Sequence, residues 1–207
     1  MRKDYPSLRL FKSDFWERFT HVHPVTPAVM WIPVVCFLIY QTVFTHEITG
    51  SKFFIYGASG FLFWTLTEYV LHRFAFHFPA KSAAGKRFVY IMHGLHHDDP
   101  NDPTRLVMPP VPALIYCAVL YTLYSAVLGP VNVKPFFAFF LVGYLCYDYI
   151  HYYVHHFTPT TKVGKYLKKY HMVHHFKDHD AKWGVSNPLW DYVFGTVEEK
   201  KAPKKTA

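Results

Sequence analysis

Residues 136–156 read FFAFFLVGYLCYDYIHYYVHH. The run begins as an apolar, aromatic block and ends in Asp148, His151, His155 and His156. A helix needs roughly 20 residues to cross the hydrocarbon core of a bilayer, with a range of about 17–25. Residues 136–154 meet that length if Asp148 and His151 lie at the membrane edge. The stretch therefore reads as a transmembrane helix that delivers imidazoles to the membrane surface. His151 and His155 are one helical turn apart and share a face.

Working outward, three further apolar blocks occupy residues 28–44, 53–71 and 111–128, and none contains Lys or Arg. The chain has 207 residues, is 51% hydrophobic and 20% aromatic, and carries a formal net charge of +8. Its basic residues flank the apolar blocks, which points to an anionic membrane surface and away from nucleic acid. Twenty of the 22 Lys and Arg fall in the amino-terminal arm, in the loop between blocks two and three, or after block four. That bias puts both termini and the long loop in the cytosol. The expected fold is an all-α integral membrane protein. Four transmembrane helices form two hairpins beneath a cytosolic, histidine-rich helical cap holding two metals. Residues 1–27 form a cytosolic arm, 28–197 the membrane-embedded domain and 198–207 a disordered basic tail. No cleavable signal peptide opens the chain. Cys36, Cys117 and Cys146 read as buried thiols.

Fifteen histidines occur, and ten fall in four groups on the expected cytosolic side. They are His72 and His77 in HRFAFH, His93, His96 and His97 in HGLHH, His151 and His155 in HYYVHH, and His171, His174 and His175 in HMVHH. Positions i, i+3 and i+4 share a helical face, so the spacing of each H-x-x-H-H group suits metal binding. His72 and His77 are five apart, about 140° from each other on a regular helix, so they are expected on different ions. Four to six imidazoles saturate one ion of iron, zinc, copper or nickel, so ten imply two ions. His156 and His179 lie off these faces and read as outer residues near the metals. His21, His23 and His46 read as interfacial.

The chemistry narrows by what is missing. No H-E-x-x-H motif supplies the water-activating carboxylate of a zinc hydrolase. No E-x-x-H pattern supplies the carboxylates of a soluble di-iron bundle. An all-histidine, two-metal cage at a membrane surface suits redox chemistry on a lipid. A metal transporter, the rival from another class, would place ionisable groups at the bilayer midplane, where these spans are almost bare. Glu68 and Asp148 precede His72 and His151 by about one turn and are expected to orient those rings. Asp98, Asp99, Asp102, Asp178 and Asp180 read mainly as solvated loop residues.

Taken together, LFKSDFWE (10–17), EYVLHRFAFH, HGLHHDDPNDPTRLVMPPVP, GYLCYDYIHYYVHH, LKKYHMVHHF and GVSNPLWDYVFGT closely resemble the successive signatures of the fatty acid 2-hydroxylases, a branch of the membrane fatty acid hydroxylase superfamily. The resemblance runs from about Phe11 to Ala202. It implies a non-haem two-iron monooxygenase that uses O2 to hydroxylate C2 of a long acyl chain, often one carried on ceramide. Zinc is an alternative occupant of the isolated protein. Sterol or sphingoid-base oxidation by the same superfamily is the runner-up. The resemblance carries the metal ligands onto the ten grouped histidines and the substrate cavity onto Tyr144, Tyr147 and Asp148. Many members carry a fused cytochrome b5 domain marked by H-P-G-G. That motif is not found here, so a separate cytochrome b5 is the expected electron donor. The terminal KKTA resembles a dilysine retrieval signal, which implies the endoplasmic reticulum membrane.

Overall fold

A computed structural model of the chain describes residues 7–44 and 48–197. His46, the first six residues of the arm and the 198–207 tail lie outside the described residues. Those described form helices and loops with no strand.

A short helix α1 (Asp14–Arg18) leads into two long ones, α2 (Thr26–Phe44) and α3 (Gly50–Val70). The Thr49 hydroxyl caps α3 by accepting from the Lys52 amide, so one of the unsatisfied first-turn donors is met. Helix α3 then continues into a π-helical turn, Leu71–Phe76. The long loop holds α4 (Ala83–Val89), a second π-turn (Tyr90–Gly94) and α5 (Leu95–Asp98). Helix α6 spans Pro110–His156 but breaks at Gly129, whose φ of 78° is non-helical. Only glycine enters that region without steric cost, and Pro130 suits the first turn of a new helix. The two arms fold back on each other, with the rings of Tyr121 and Phe137 5.2 Å apart. Helices α7 (Lys162–Phe176) and α8 (Leu189–Phe194) complete the chain.

The four apolar blocks of the sequence are therefore α2, α3 and the two arms of α6. Thr26–Phe44 and Pro110–His156 are long and apolar enough to cross a membrane. Helix α3 is as long but less apolar, with Lys52 and Glu68 near its ends. Their shared core joins Trp31 and Leu38 of α2, Trp64 of α3, and Cys117, Phe140 and Tyr144 of α6. Trp64 sits at its centre, its ring 5.1 Å from both Phe140 and Tyr144. Gly60 permits the close approach, since a Cβ there would lie 2.0 Å from the Phe136 carbonyl oxygen. Large apolar side chains cover the outside: Val29 is 67% exposed, Ile55 62% and Val127 81%. A contiguous apolar exterior of this kind marks contact with a membrane or partner. Of the three cysteines only Cys117 is buried; Cys36 and Cys146 are on that outer surface, because helix faces rather than block membership decide burial.

Candidate metal centre

The ten grouped histidines converge around the C-terminal ends of α3 and α6. They sort into two clusters: His72, His77, His93, His97 and His174, and His96, His151, His155, His171 and His175. Within each cluster, one ring nitrogen per residue lies within 4.8 Å of every other. The clusters abut, with the rings of His97 and His175 stacked 4.1 Å apart.

This sorting corrects the sequence reading at His72 and His77. His72 and His77, expected on different ions, share a cluster. The cause is the π-turn: the His77 amide donates to the His72 carbonyl at 3.3 Å. That i→i+5 bond brings residues five apart onto one face. Each H-x-x-H-H group divides between the two clusters. His93 and His97 stay together while His96 crosses to the second cluster; His171 and His175 stay together while His174 crosses to the first. On a helix the i+3 and i+4 side chains flank position i, about 100° apart, so they can serve neighbouring sites. Each cluster thus takes four imidazoles from one half of the chain and one from the other.

The donors suit metal ions. Closest pairs of ring nitrogens are His72–His93 at 3.1 Å, His93–His97 at 3.1 Å, His77–His174 at 3.2 Å and His155–His171 at 2.9 Å. Two imidazoles at right angles, each about 2.1 Å from an ion, are separated by about 3.0 Å. Both ring nitrogens of His151 and His175, and Nε2 of His96, are buried with no hydrogen-bond partner among the described residues. Unpaired buried polar atoms are costly, and a cation meets that need. His72 Nδ1 donates to the Trp183 carbonyl at 2.5 Å, and His174 Nδ1 donates to the Ala181 carbonyl at 2.8 Å. Those bonds fix the tautomer, leaving each Nε2 lone pair aimed inward. Burial, followed by neighbouring imidazoles, pushes the His97 ring down to about 2. Burial likewise holds His174 at about 3, so these rings are neutral donors at physiological pH.

The loop carrying those carbonyls is not legible in the sequence. Asp191 is fully buried and accepts from the Trp183 and Gly184 amides at 2.9 and 2.7 Å. Glu68 accepts from the Val185 and Ser186 amides at 2.7 and 2.8 Å. Glu68 therefore does not orient His72 as expected; it anchors the loop whose Trp183 carbonyl does so. Asp148 is no partner of His151 either, since both ring nitrogens of His151 lack a hydrogen bond. The signature GVSNPLWDYVFGT is visible, but nothing in it distinguishes a backbone carbonyl as a partner for histidine.

The remaining expected residues fall outside the clusters. His156 packs on Tyr152, ring centroids 4.4 Å apart. His179 is exposed, its ring 5.1 Å from that of His97. Tyr144, Tyr147 and Asp148 line a cavity of about 800 Å³ whose wall also includes His93, His96 and His151. Asp102, read as a solvated loop residue, is buried at 2% exposure. It lies against Arg105, with Nε and Oδ2 3.3 Å apart.

Helices without a strand among the described residues, an apolar exterior and ten convergent histidines define a class of helical proteins whose histidine clusters could hold metal ions, and similarity to known proteins narrows it. Residues 57–196 match the fatty acid hydroxylase family, and the chain belongs to that family. It is 41% identical over 197 residues to the dihydroceramide fatty acyl 2-hydroxylase FAH1 of Arabidopsis thaliana, covering 95% of this chain and 83% of the relative. It is 40% identical over 196 residues to the ceramide very long chain fatty acid hydroxylase SCS7 of Saccharomyces cerevisiae, covering 92% of this chain and 50% of that one. The solved structure of scs7p, in which only the hydroxylase domain is visible, matches with a TM-score of 0.84 and 37% identity over 92% of this chain and 72% of the other.

Proposed function

We propose that this chain is a fatty acyl 2-hydroxylase that uses two iron ions, one in each histidine cluster, to hydroxylate C2 of a long acyl chain carried on ceramide. The observation that carries this reading is the cavity. Its wall joins His93 of one cluster to His96 and His151 of the other, and continues to Trp64, Cys117 and Phe140 in the apolar core. From His151 back to Phe140 is eleven residues of α6, a stretch of about 16 Å. An acyl tail lying along it is held in apolar surroundings while its head end stays beside the histidines. The two histidine clusters would hold the ions, which would supply O2 reduction with two external electrons and two protons, one oxygen atom ending at C2 and the other in water.

The protein's own contribution is position. Many C–H bonds of the chain are alike, so selectivity follows from where the chain is held. Tyr144, Tyr147 and Asp148 form the ruler, because they share a helical face at the level where the cavity meets the histidines. The cavity walls also exclude water. The mouth is flanked by Phe15 and Trp16 of α1 and by Phe19 just after it, which are 59–64% exposed, with the Phe15 and Phe19 rings packed edge-on at 5.2 Å.

The wider arrangement of this proposal has four spans in two hairpins, with the histidines on the cytosolic face of the endoplasmic reticulum membrane. The exposed apolar helices and the placement of basic residues support it. Cytochrome b5 is the electron donor, docking on Lys162, Lys165, Lys168, Lys169 and Lys177 by charge. The test is lipid mass spectrometry of a host that lacks 2-hydroxylated sphingolipids. Expression of this chain should produce 2-hydroxyceramides. Hydroxylation only of sterols or of the sphingoid base would refute the assignment.

A further inference from the structure

Arg105 is a charged side chain in the cavity wall whose hydrogen bonds are incomplete. It is 4% exposed. Its Nε donates to Ser7 Oγ at 2.9 Å. Its Nη2 donates to Glu17 and, at 2.9 Å, to His21 Nε2. The other ring nitrogen of His21, Nδ1, lies 2.6 Å from Thr104 Oγ1. Nη1 is buried with no partner among the described residues. A guanidinium has five N–H donors, so the two on Nη1 have no partner among the described residues, on a side chain that lines the cavity. Leaving charged donors unpaired is expensive, and a ligand in the cavity can satisfy them.

The surroundings define which ligand. Two carboxylates sit on this one cation: Glu17, and Asp102, whose Oδ2 lies 3.3 Å from Nε. Both are locked as acceptors. Glu17 receives the Leu10 and Phe11 amides at 3.0 and 2.7 Å. Asp102 receives the Thr104 amide and hydroxyl at 2.9 and 2.7 Å. The cluster therefore carries one positive and two negative charges. A lipid carboxylate at Nη1 would be a third anion on one guanidinium, in a site shielded from water, whereas a carbonyl or hydroxyl meets no such repulsion.

We infer that Arg105 anchors the lipid headgroup through Nη1, and that Glu17 and Asp102 restrict that head to an uncharged hydrogen-bond acceptor, selecting an N-acylated lipid over a free fatty acid. The inference rests on the 2-hydroxylase reading and adds to it the residues that discriminate substrate. Repulsion between like charges, which rejects the competitor without weakening the preferred ligand, is a common source of specificity.

The experiment uses membranes from cells expressing the full chain, with NADH and O2, and with ceramide synthesis blocked. N-palmitoyl dihydrosphingosine and palmitate are offered separately, and protein-bound metal is measured in parallel. The wild type should hydroxylate the ceramide in preference. Glu17→Gln and Asp102→Asn, which remove charge but keep shape, should each raise the palmitate-to-ceramide rate ratio about tenfold or more. Arg105→Gln should raise KM for the ceramide about tenfold with kcat less affected and both metals retained. Wild-type turnover with an unchanged ratio in both carboxylate variants would overturn the inference alone. A wild type that hydroxylates neither lipid would overturn the 2-hydroxylase reading and the inference with it.

Discussion

At the scale of single residues, the histidines are legible because ten imidazoles at helical spacings are hard to account for except as metal ligands. Their partition is not. It depends on a π-turn between His72 and His77 and on ring partners supplied by the backbone carbonyls of Trp183 and Ala181. Side-chain spacing carries no trace of either. Asp102 and Arg105 are opaque for a related reason: each looks like an ordinary loop charge until the amino-terminal arm closes over it. Two predictions belong here. If Tyr144 and Tyr147 act as the ruler, Tyr144→Ala or Tyr147→Ala should lower activity severalfold or scramble the stereochemistry at C2 with both metals bound. Chiral analysis of the hydroxy acids decides it, and wild-type rate and configuration in both variants would remove the role. The second concerns pH. Burial holds the His77 ring at about 4 against an ordinary 6.5, and His97 and His174 lie lower still. Between those values the unfolded chain binds protons that the metal-free folded chain does not. Stability is then present above about pH 6.5 and is lost as pH falls toward 4. The Tm of metal-free protein in detergent should be lower at pH 5.5 than at 7.5; a higher value at 5.5 would contradict the sign.

At the scale of elements, all four apolar blocks emerge as helices, since long runs without Lys or Arg leave the chain few alternatives in an apolar setting. The break at Gly129 matches the gap between blocks three and four. The short elements are less readable. Helix α1 has five residues, too short for periodicity to show, and the loop at 181–187 has no repeating pattern at all. The packing of α3 on α6 yields a sharp prediction. Gly60→Val places a branched side chain where the Phe136 carbonyl already sits, 2.0 Å from the new Cβ. The helices must separate, at a cost of about 1–3 kcal/mol. Because α3 and α6 carry His72 and His151 at their ends, metal content should fall along with Tm. Measured together, full metal occupancy and an unchanged Tm would show that this contact does not set the site.

At the scale of the whole molecule, each half presents two long helical segments, a histidine pair and an H-x-x-H-H group, and the two clusters join the halves by exchanging His96 and His174. No single half completes a cluster. The proposed electron supply also belongs to this scale, because a separate donor would have to find the correct face. If Lys162, Lys165, Lys168 and Lys169 steer an acidic cytochrome b5, reversing them to Glu should slow reduction at low salt about tenfold or more, with the gap closing at high salt. Stopped-flow reduction rates test this, and salt-independent or unchanged rates would remove the docking face. The exchange implies two ions, each held by four histidines of one half and one of the other. Anomalous diffraction at the iron edge from iron-loaded protein tests it directly. Two iron peaks are expected, one within ligand distance of His72, His77, His93, His97 and His174, the other of His96, His151, His155, His171 and His175. A single peak, or two peaks with His96 and His174 each kept within its own half, would contradict it.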